Sequence, residues 1–244
     1  MKHETVKTSH VIRAVDAVEA LHNRGRGEEG MALLYGKPGE GKTTTVGYLV
    51  NQFDGVFVRA RVSWTVTSML QTLMKEIQRE PHHRRSPMVD AAVEWFVTQQ
   101  RMLIVDEADY LLQQREMLDA LRDIYDLSKV PILLVMMERA PRKIQSDPTL
   151  ARFKRRITQW VKFDGLSVED TAKVCRELPE LSDQTPIDVG RGLVERIHKE
   201  AGGNIGFIVI ALGKVERFAR TNSLECVTLS DFAGRDLFDD RSPQ

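Results

Sequence analysis

Gly36-Lys37-Pro38-Gly39-Glu40-Gly41-Lys42-Thr43 stands between an apolar run, Met31-Ala32-Leu33-Leu34-Tyr35, and the stretch Thr44-Thr45-Val46-Gly47-Tyr48-Leu49-Val50. The eight residues match G-x-x-x-x-G-K-[ST] in full, in the strand–turn–helix setting that this motif needs. Gly36, Gly39 and Gly41 let the backbone curl so that its N–H groups point inward around phosphate oxygens. A helix beginning near Lys42 adds its positive dipole end. Lys42 is placed to reach the β- and γ-phosphates and the Thr43 hydroxyl to ligate Mg²⁺. Residues 36–44, closing with Thr44, therefore read as a binding loop for a nucleoside triphosphate, with ATP and Mg²⁺ as the expected cofactors.

Working outward, a second half of such a site lies at Met102-Leu103-Ile104-Val105-Asp106-Glu107. Four apolar residues form a buried strand that ends in two carboxylates. Asp106 is placed to hold Mg²⁺ opposite Thr43. Glu107 beside it can orient and deprotonate the water that attacks the γ-phosphate. Many strands end in an acidic loop, so the run gains its meaning from the complete phosphate loop upstream. The pair favours ATP hydrolysis over phosphate transfer to a small molecule.

The composition sets outer bounds. The 244 residues suit one large domain or a main domain with a satellite. Lys+Arg and Asp+Glu balance at 35 each, so any nucleic-acid contact must come from a local patch. Cys175 and Cys226 match neither a metal spacing nor a disulfide framework. The start Met1-Lys2-His3-Glu4-Thr5 lacks the apolar core of a signal peptide, and no apolar run approaches ~20 residues. These features point to a cytoplasmic or nucleoid-associated protein with no membrane partner.

Along the chain, Val11, Ile12, Val15, Val18 and Leu21 fall on one helical face over 9–23. Strands are expected at 31–35, 55–59, 102–105, 131–136 and 159–163. Helices are expected to about Phe53, then over 65–79, 88–100 and 110–127. Short apolar strands alternating with amphipathic helices imply an α/β fold, with a parallel five-stranded sheet covered on both faces. After Gly165 the pattern changes to helices near 167–178, 186–200, 204–220 and 230–238, the last with a local cap from Thr228 and Asp231. The expected domains are thus 1–164, nucleotide-binding, and 165–244, a small all-helical tail.

The loop at 36–43, Asp106-Glu107-Ala108-Asp109, the apolar fourth strand and the helical tail together resemble an AAA+ ATPase over about residues 10–240. That resemblance implies the strand order 5-1-4-3-2 and a helical lid. In finer detail the chain is similar to the transposition-regulator branch, whose members include the target-selection ATPase of phage Mu. Gly30–Gly36, Gly41–Thr45, Val105–Leu111 and Thr149–Ile157 leading into Trp160-Val161 carry that similarity. The same core is shared by helicase loaders.

The family implies an arginine donated in trans from a neighbouring subunit, in the region of Arg152, Arg155 and Arg156. Arg156 is the first choice and Arg155 the second. The strand-four position that usually holds a small polar sensor reads Val135-Met136-Met137-Glu138, and methionine makes no strong hydrogen bond. The lid position that usually holds an arginine reads Gly202-Gly203-Asn204-Ile205-Gly206. Both departures imply slow hydrolysis, with ATP acting mainly as an assembly switch.

The branch further implies homo-oligomers, ring or filament, on double-stranded DNA, with a transposase as partner. Arg59, Arg61, Lys75, Arg79, Arg84 and Arg85 are the basic residues expected to track phosphates. Two other readings stand beside this one. The first is a helicase loader or other replication-associated ATPase. The second is a nucleotide-gated interaction protein with negligible catalysis.

Overall fold

The computed structural model describes residues 1–2, 5–181 and 185–238. Residues 239–244 of the expected tail domain, and His3 and Glu4 of the amino terminus, lie outside them. The helices are α1 (Ser9–His22), α2 (Lys42–Phe53), α3 (Val66–Glu76), α4 (Arg85–Gln99), α5 (Arg115–Ser128), α6 (Ala140–Ser146), α7 (Ala151–Lys154), α8 (Val168–Glu177), α9 (Arg191–Ala201) and α10 (Ile205–Asn222). The strands are β1 (Met31–Gly36), β2 (Val56–Arg59), β3 (Leu103–Asp106), β4 (Ile132–Met137), β5 (Ile157–Phe163), β6 (Asp188–Val189) and β7 (Cys226–Val227).

Two compact units emerge. One comprises Arg13–Lys37 and Lys42–Lys162; the other comprises Met1–Ile12, Pro38–Gly41 and the chain from Phe163 onward. The change of unit at 162/163 lies two residues before the expected boundary. The first twelve residues and the crown of the phosphate loop fall with the tail.

The first unit holds a five-stranded parallel sheet in the order β2-β3-β4-β1-β5, the expected 5-1-4-3-2 read from the other edge. Its central strands β1, β3 and β4 are buried almost throughout, whereas β2 and β5 expose alternate residues as edge strands do. Register follows from the parallel pairing: Gly36 lies opposite Met137 and Arg59 opposite Asp106. Tyr125, fully buried, receives the Gly30 N–H at 2.5 Å and so fixes the start of β1. Burial pushes its hydroxyl pKa up to about 12, helped by Glu29.

Helix α1 corrects the face read from sequence. Val11, Ala14, Ala17, Val18 and Leu21 are buried, whereas Ile12 is 46% exposed. The small alanines carry the packing that the larger Ile12 and Val15 were expected to carry. Helix α3 begins with a reciprocal capping box, Ser68 N–H to the Thr65 hydroxyl and Thr65 N–H to the Ser68 hydroxyl.

The second unit has its own core, built on α8, α9 and α10 with Val174, Leu193, Ile197, Ile208, Leu212 and Val215. It is not all-helical. β6 and β7 pair in parallel, Asp188 with Cys226 and Val189 with Val227. Two residues per strand leave no periodicity to read. The helix expected over 230–238 is replaced, among the described residues, by turns; the Thr228–Asp231 contact forms, with Thr228 N–H donating to Asp231 Oδ2 at 2.8 Å, and closes a turn instead. Both cysteines are free thiols, and burial pushes Cys175 up to about 12. Among the described residues no helix is long and apolar enough to cross a membrane.

Candidate nucleotide site

Strand β1 delivers Gly36 to its carboxyl end, and α2 takes the chain up again at Lys42. Between them Gly39 and Gly41 adopt φ of +78° and +81°, the left-handed region where a side chain is strained. Lys42 Nζ donates to the carbonyls of Gly36 and Lys37, each at 2.7 Å, so the amine is folded back over its own loop. Glu40 in the crown is buried. Thr44, the last residue of the binding stretch, is exposed in the first turn of α2.

The Thr43 hydroxyl donates to Asp106 Oδ2 at 3.3 Å, which joins the two motifs quoted from sequence. Asp106 is 2% exposed, and its other oxygen accepts the Glu107 N–H at 2.9 Å. Oδ2 also accepts Arg59, at 3.0 Å from Nη2 and 3.2 Å from Nε. A hydroxyl and a carboxylate are hard oxygen donors of the kind Mg²⁺ takes, and one or two such residues suffice when phosphates and water complete the octahedron. Among the described residues no group of three or more His, Cys, Asp and Glu side chains is arranged to hold a metal by itself. The donor set therefore fits a metal shared with nucleotide phosphate.

Glu107 is half-buried and adopts φ 55°, ψ 32°, the left-handed conformation, at the start of a 3₁₀ turn over Ala108–Gln113. For a non-glycine residue this is a strained backbone, and such strain clusters at functional sites. Two residues on, the Asp109 carboxylate accepts the Met137 N–H at 2.8 and 3.0 Å. Burial raises the Asp109 pKa, opposed by the Met137 hydrogen bond and reinforced by nearby Glu107. The end of β4 is thus tied to the loop that carries Glu107 through its backbone. Glu138, which follows Met137, is exposed.

Within the second unit the phosphate-loop crown meets the start of α10. Asn204 Nδ2 donates to the Pro38 carbonyl at 3.0 Å, and Gly206 N–H donates to the Gly39 carbonyl at 2.8 Å. Asn204 Oδ1 also caps α10 through Gly206 N–H and Phe207 N–H. A Cβ on Gly206 would lie 3.1 Å from Asn204 Oδ1 and 3.2 Å from the Gly39 carbonyl oxygen. That close approach is a physical reason for glycine at the second of the two positions, Ile205 and Gly206, where the family pattern expects arginine.

The arginines expected in trans separate cleanly. Arg156 Nε donates to Asp126 Oδ1 at 2.7 Å, its Nη2 reaches Asp126 Oδ2, and only 17% of its side chain is exposed. The first choice from sequence is thus bound within its own chain. Arg152 and Arg155 are exposed. The basic residues expected on DNA are all exposed as residues, with two of them in ion pairs: Arg59 with Asp106, and Arg85 with Glu116 at 3.0 Å. Arg61, Lys75, Arg79 and Arg84 lie after β2, in the last turn of α3, beyond it and before α4. Trp64 is buried in the core and serves packing.

Sequence reasoning missed three connections: Arg59 to Asp106, Asp109 to Met137, and Asn204 to Pro38. The first was accessible, because the expected strand order puts β2 beside β3. The other two join residues far apart in the chain and left no local signal.

Comparison with known proteins matches residues 24–144 to the family described as AAA domain. No curated protein matches the sequence. Among solved structures, the chain is similar to the Aeropyrum pernix ORC2 protein, determined as ADPNP-ADP complexes, with TM-score 0.70 and 14% identity; the match covers 93% of this chain and 67% of that one. It is similar to Cdc6p from Pyrobaculum aerophilum with TM-score 0.65 and 14% identity over 93% and 66% of the two chains. It is also similar to domain III of the Thermotoga maritima replication initiation protein DnaA, with TM-score 0.56 and 17% identity over 93% and 91%. The chain spans about two thirds of the length of the ORC2 and Cdc6p chains. The sheet order and these matches show an α/β P-loop fold of the AAA+ type, within which residues 24–144 match the AAA domain.

Proposed function

We propose that this chain is a slow, assembly-dependent ATPase that oligomerises on duplex DNA without reading its sequence. The observation that carries the proposal is the 3.3 Å approach of the Thr43 hydroxyl to Asp106, with Glu107 next in the chain and Lys42 on the same phosphate loop. Residues 36–44 bind the triphosphate, and Thr43 and Asp106 hold Mg²⁺. Bound Mg²⁺ supplies charge neutralisation on the phosphate oxygens. Glu107 orients the attacking water and accepts its proton. An arginine from the neighbouring subunit stabilises charge developing on the γ-phosphate. Exposed Arg155 is the first choice for that role, with Arg152 next, since Arg156 is held by Asp126.

Slow turnover follows from what the usual sensor positions hold. The Met137 side chain offers no strong hydrogen bond at the end of β4, and Gly206 has no side chain at the start of α10. ATP then serves assembly more than work. Arg61, Lys75, Arg79 and Arg84, joined by Arg59 and Arg85, supply phosphate contacts that carry no sequence information. An Aeropyrum pernix ORC1 protein of related fold was solved in complex with DNA, which supports a DNA role by analogy of fold.

The biological setting we favour is regulation of transposition by a cytoplasmic, nucleoid-associated protein of a bacterial or mobile element, with a transposase as partner. It rests on the motif resemblance of residues 30–45, 105–111 and 149–161. A replication-associated role is the second reading, favoured by the fold likeness to ORC2, Cdc6p and DnaA. Reconstitution separates the two. The ATP-bound chain on duplex DNA is offered the transposase or the replicative helicase encoded beside it. Retention of the transposase alone supports the first reading, and retention of the helicase alone supports the second.

A further inference from the structure

The buried carboxylate that defines the metal side of the site already has a cationic partner. Parallel register sets Arg59 directly beside Asp106. Its Nη2 and Nε lie 3.0 and 3.2 Å from Asp106 Oδ2, the same oxygen that faces the Thr43 hydroxyl at 3.3 Å. Asp106 Oδ1 is taken by the Glu107 N–H. A cation held between Thr43 and Asp106 must therefore share or take over the oxygen that Arg59 occupies.

Sharing is unfavourable. Mg²⁺ sits at about 2.1 Å from its ligand oxygens and demands near-ideal octahedral geometry. A guanidinium on the same oxygen would bring like charges within a few ångströms, in competition for two lone pairs that the Thr43 hydroxyl also uses. The two partners differ in freedom. The Asp106 side chain is 3% exposed and fixed at the end of a central strand, whereas that of Arg59 is 52% exposed on an edge strand. Arg59 can leave for water; Asp106 cannot follow. Arg59 supplies the charge partner that a buried carboxylate requires.

We propose that Arg59 is a positioning residue that Mg²⁺ displaces from Asp106 when nucleotide loads, so that its guanidinium turns outward beside exposed Arg61. The proposal rests on the assignment of Thr43 and Asp106 as the metal pair. It gives the chain a nucleotide-gated cation at the carboxyl end of β2: in the metal-free state Arg59 is spent on Asp106, and in the Mg²⁺–nucleotide state it is available to a polyanion.

The test uses the full chain loaded with ADP. Free Mn²⁺ is followed by electron paramagnetic resonance in a titration of wild type, Arg59→Ala, Arg59→Gln and Arg59→Lys, with Asp106→Asn as reference. The Arg59 Nε–H resonance is followed separately as Mg²⁺ is added. Removing the competitor should tighten Mn²⁺ binding on the order of tenfold in Arg59→Ala and Arg59→Gln. Arg59→Lys should lie between them and wild type, and the Nε–H signal should move to a solvent-like position as Mg²⁺ saturates. Equal or weaker Mn²⁺ binding in the neutral variants, or an Nε–H signal unmoved at saturation, would overturn the proposal and leave Arg59 as a fixed structural bridge. Wild type and Asp106→Asn binding Mn²⁺ equally would instead refute the assignment of the metal pair. Should Arg59→Ala fail to fold, Arg59→Lys and the wild-type resonance carry the same decision.

Discussion

Asp109 accepts the Met137 backbone N–H through both carboxylate oxygens, at 2.8 and 3.0 Å, and so joins the loop after β3 to the end of β4. Glu107 lies on that loop in a left-handed conformation that its surroundings must hold. Asp109→Ala leaves a half-buried N–H without its partner, at a cost of about 1–3 kcal/mol. In a chain of this size that lowers the melting temperature by roughly 2–4 °C per kcal/mol. Hydrolysis should fall more than ATP affinity, because Glu107 is misplaced while the phosphate loop is not. Single-turnover rates beside equilibrium ATP binding check this; equal losses in both would contradict it.

The same residue sets a pH dependence. Burial raises the Asp109 pKa above its ordinary 3.8, so the folded chain holds that proton more tightly than the unfolded chain. Stability therefore falls as pH rises between the ordinary value and the raised one, and is regained on acidification through the raised value. Asp109→Asn lacks this term. The stability of wild type minus that of Asp109→Asn should decrease as pH rises from about 4 through the raised pKa. Urea melts at a series of pH values measure it, and a difference that grows with pH would be wrong in sign.

At Gly206, one of the two positions with Ile205 where the family pattern places an arginine, introducing that arginine should harm the protein. A side chain there must pass 3.1 Å from Asn204 Oδ1 and 3.2 Å from the Gly39 carbonyl oxygen. Gly206→Arg and Gly206→Ala should each cost about 1–3 kcal/mol of stability and weaken nucleotide binding by displacing the phosphate-loop crown. Faster hydrolysis in Gly206→Arg with unchanged stability would show that the glycine is a mere loss.

How much of this was legible from residues alone differs by level. Gly36–Thr43 and Asp106-Glu107 are contiguous motifs with local causes, and they meet at Thr43 and Asp106 as expected. The strand order came with the motif resemblance and matches the sheet. The misreadings have tertiary causes. Ile12 was assigned to a buried face because it is large and apolar, but packing selected Ala14 and Ala17. Asp188–Val189 and Cys226–Val227 are too short to show a period. The bond of Arg156 to Asp126 on α5 is a further tertiary contact that leaves no signal in the neighbouring Lys154 and Arg155.

That last pair separates the arginines by experiment. Arg156→Ala leaves Asp126 without its bidentate partner and should cost about 1–3 kcal/mol of stability, visible in the isolated monomer. Arg155→Ala alters an exposed residue and should change stability by no more than about 0.5 kcal/mol. It should lower hydrolysis only where subunits assemble. A normal assembled rate in Arg155→Ala and in Arg152→Ala would remove both from the trans role.

In the proposed function, nucleotide binding at Gly36–Thr43 governs assembly on DNA. The most direct measurement is electron microscopy with size exclusion of Glu107→Gln, with ATP and duplex DNA together and each alone. Long-lived oligomers are expected on DNA with ATP, shorter-lived ones in wild type, and none in Lys42→Ala. A monomer under every condition, or oligomers in Lys42→Ala that still require ATP, would contradict it.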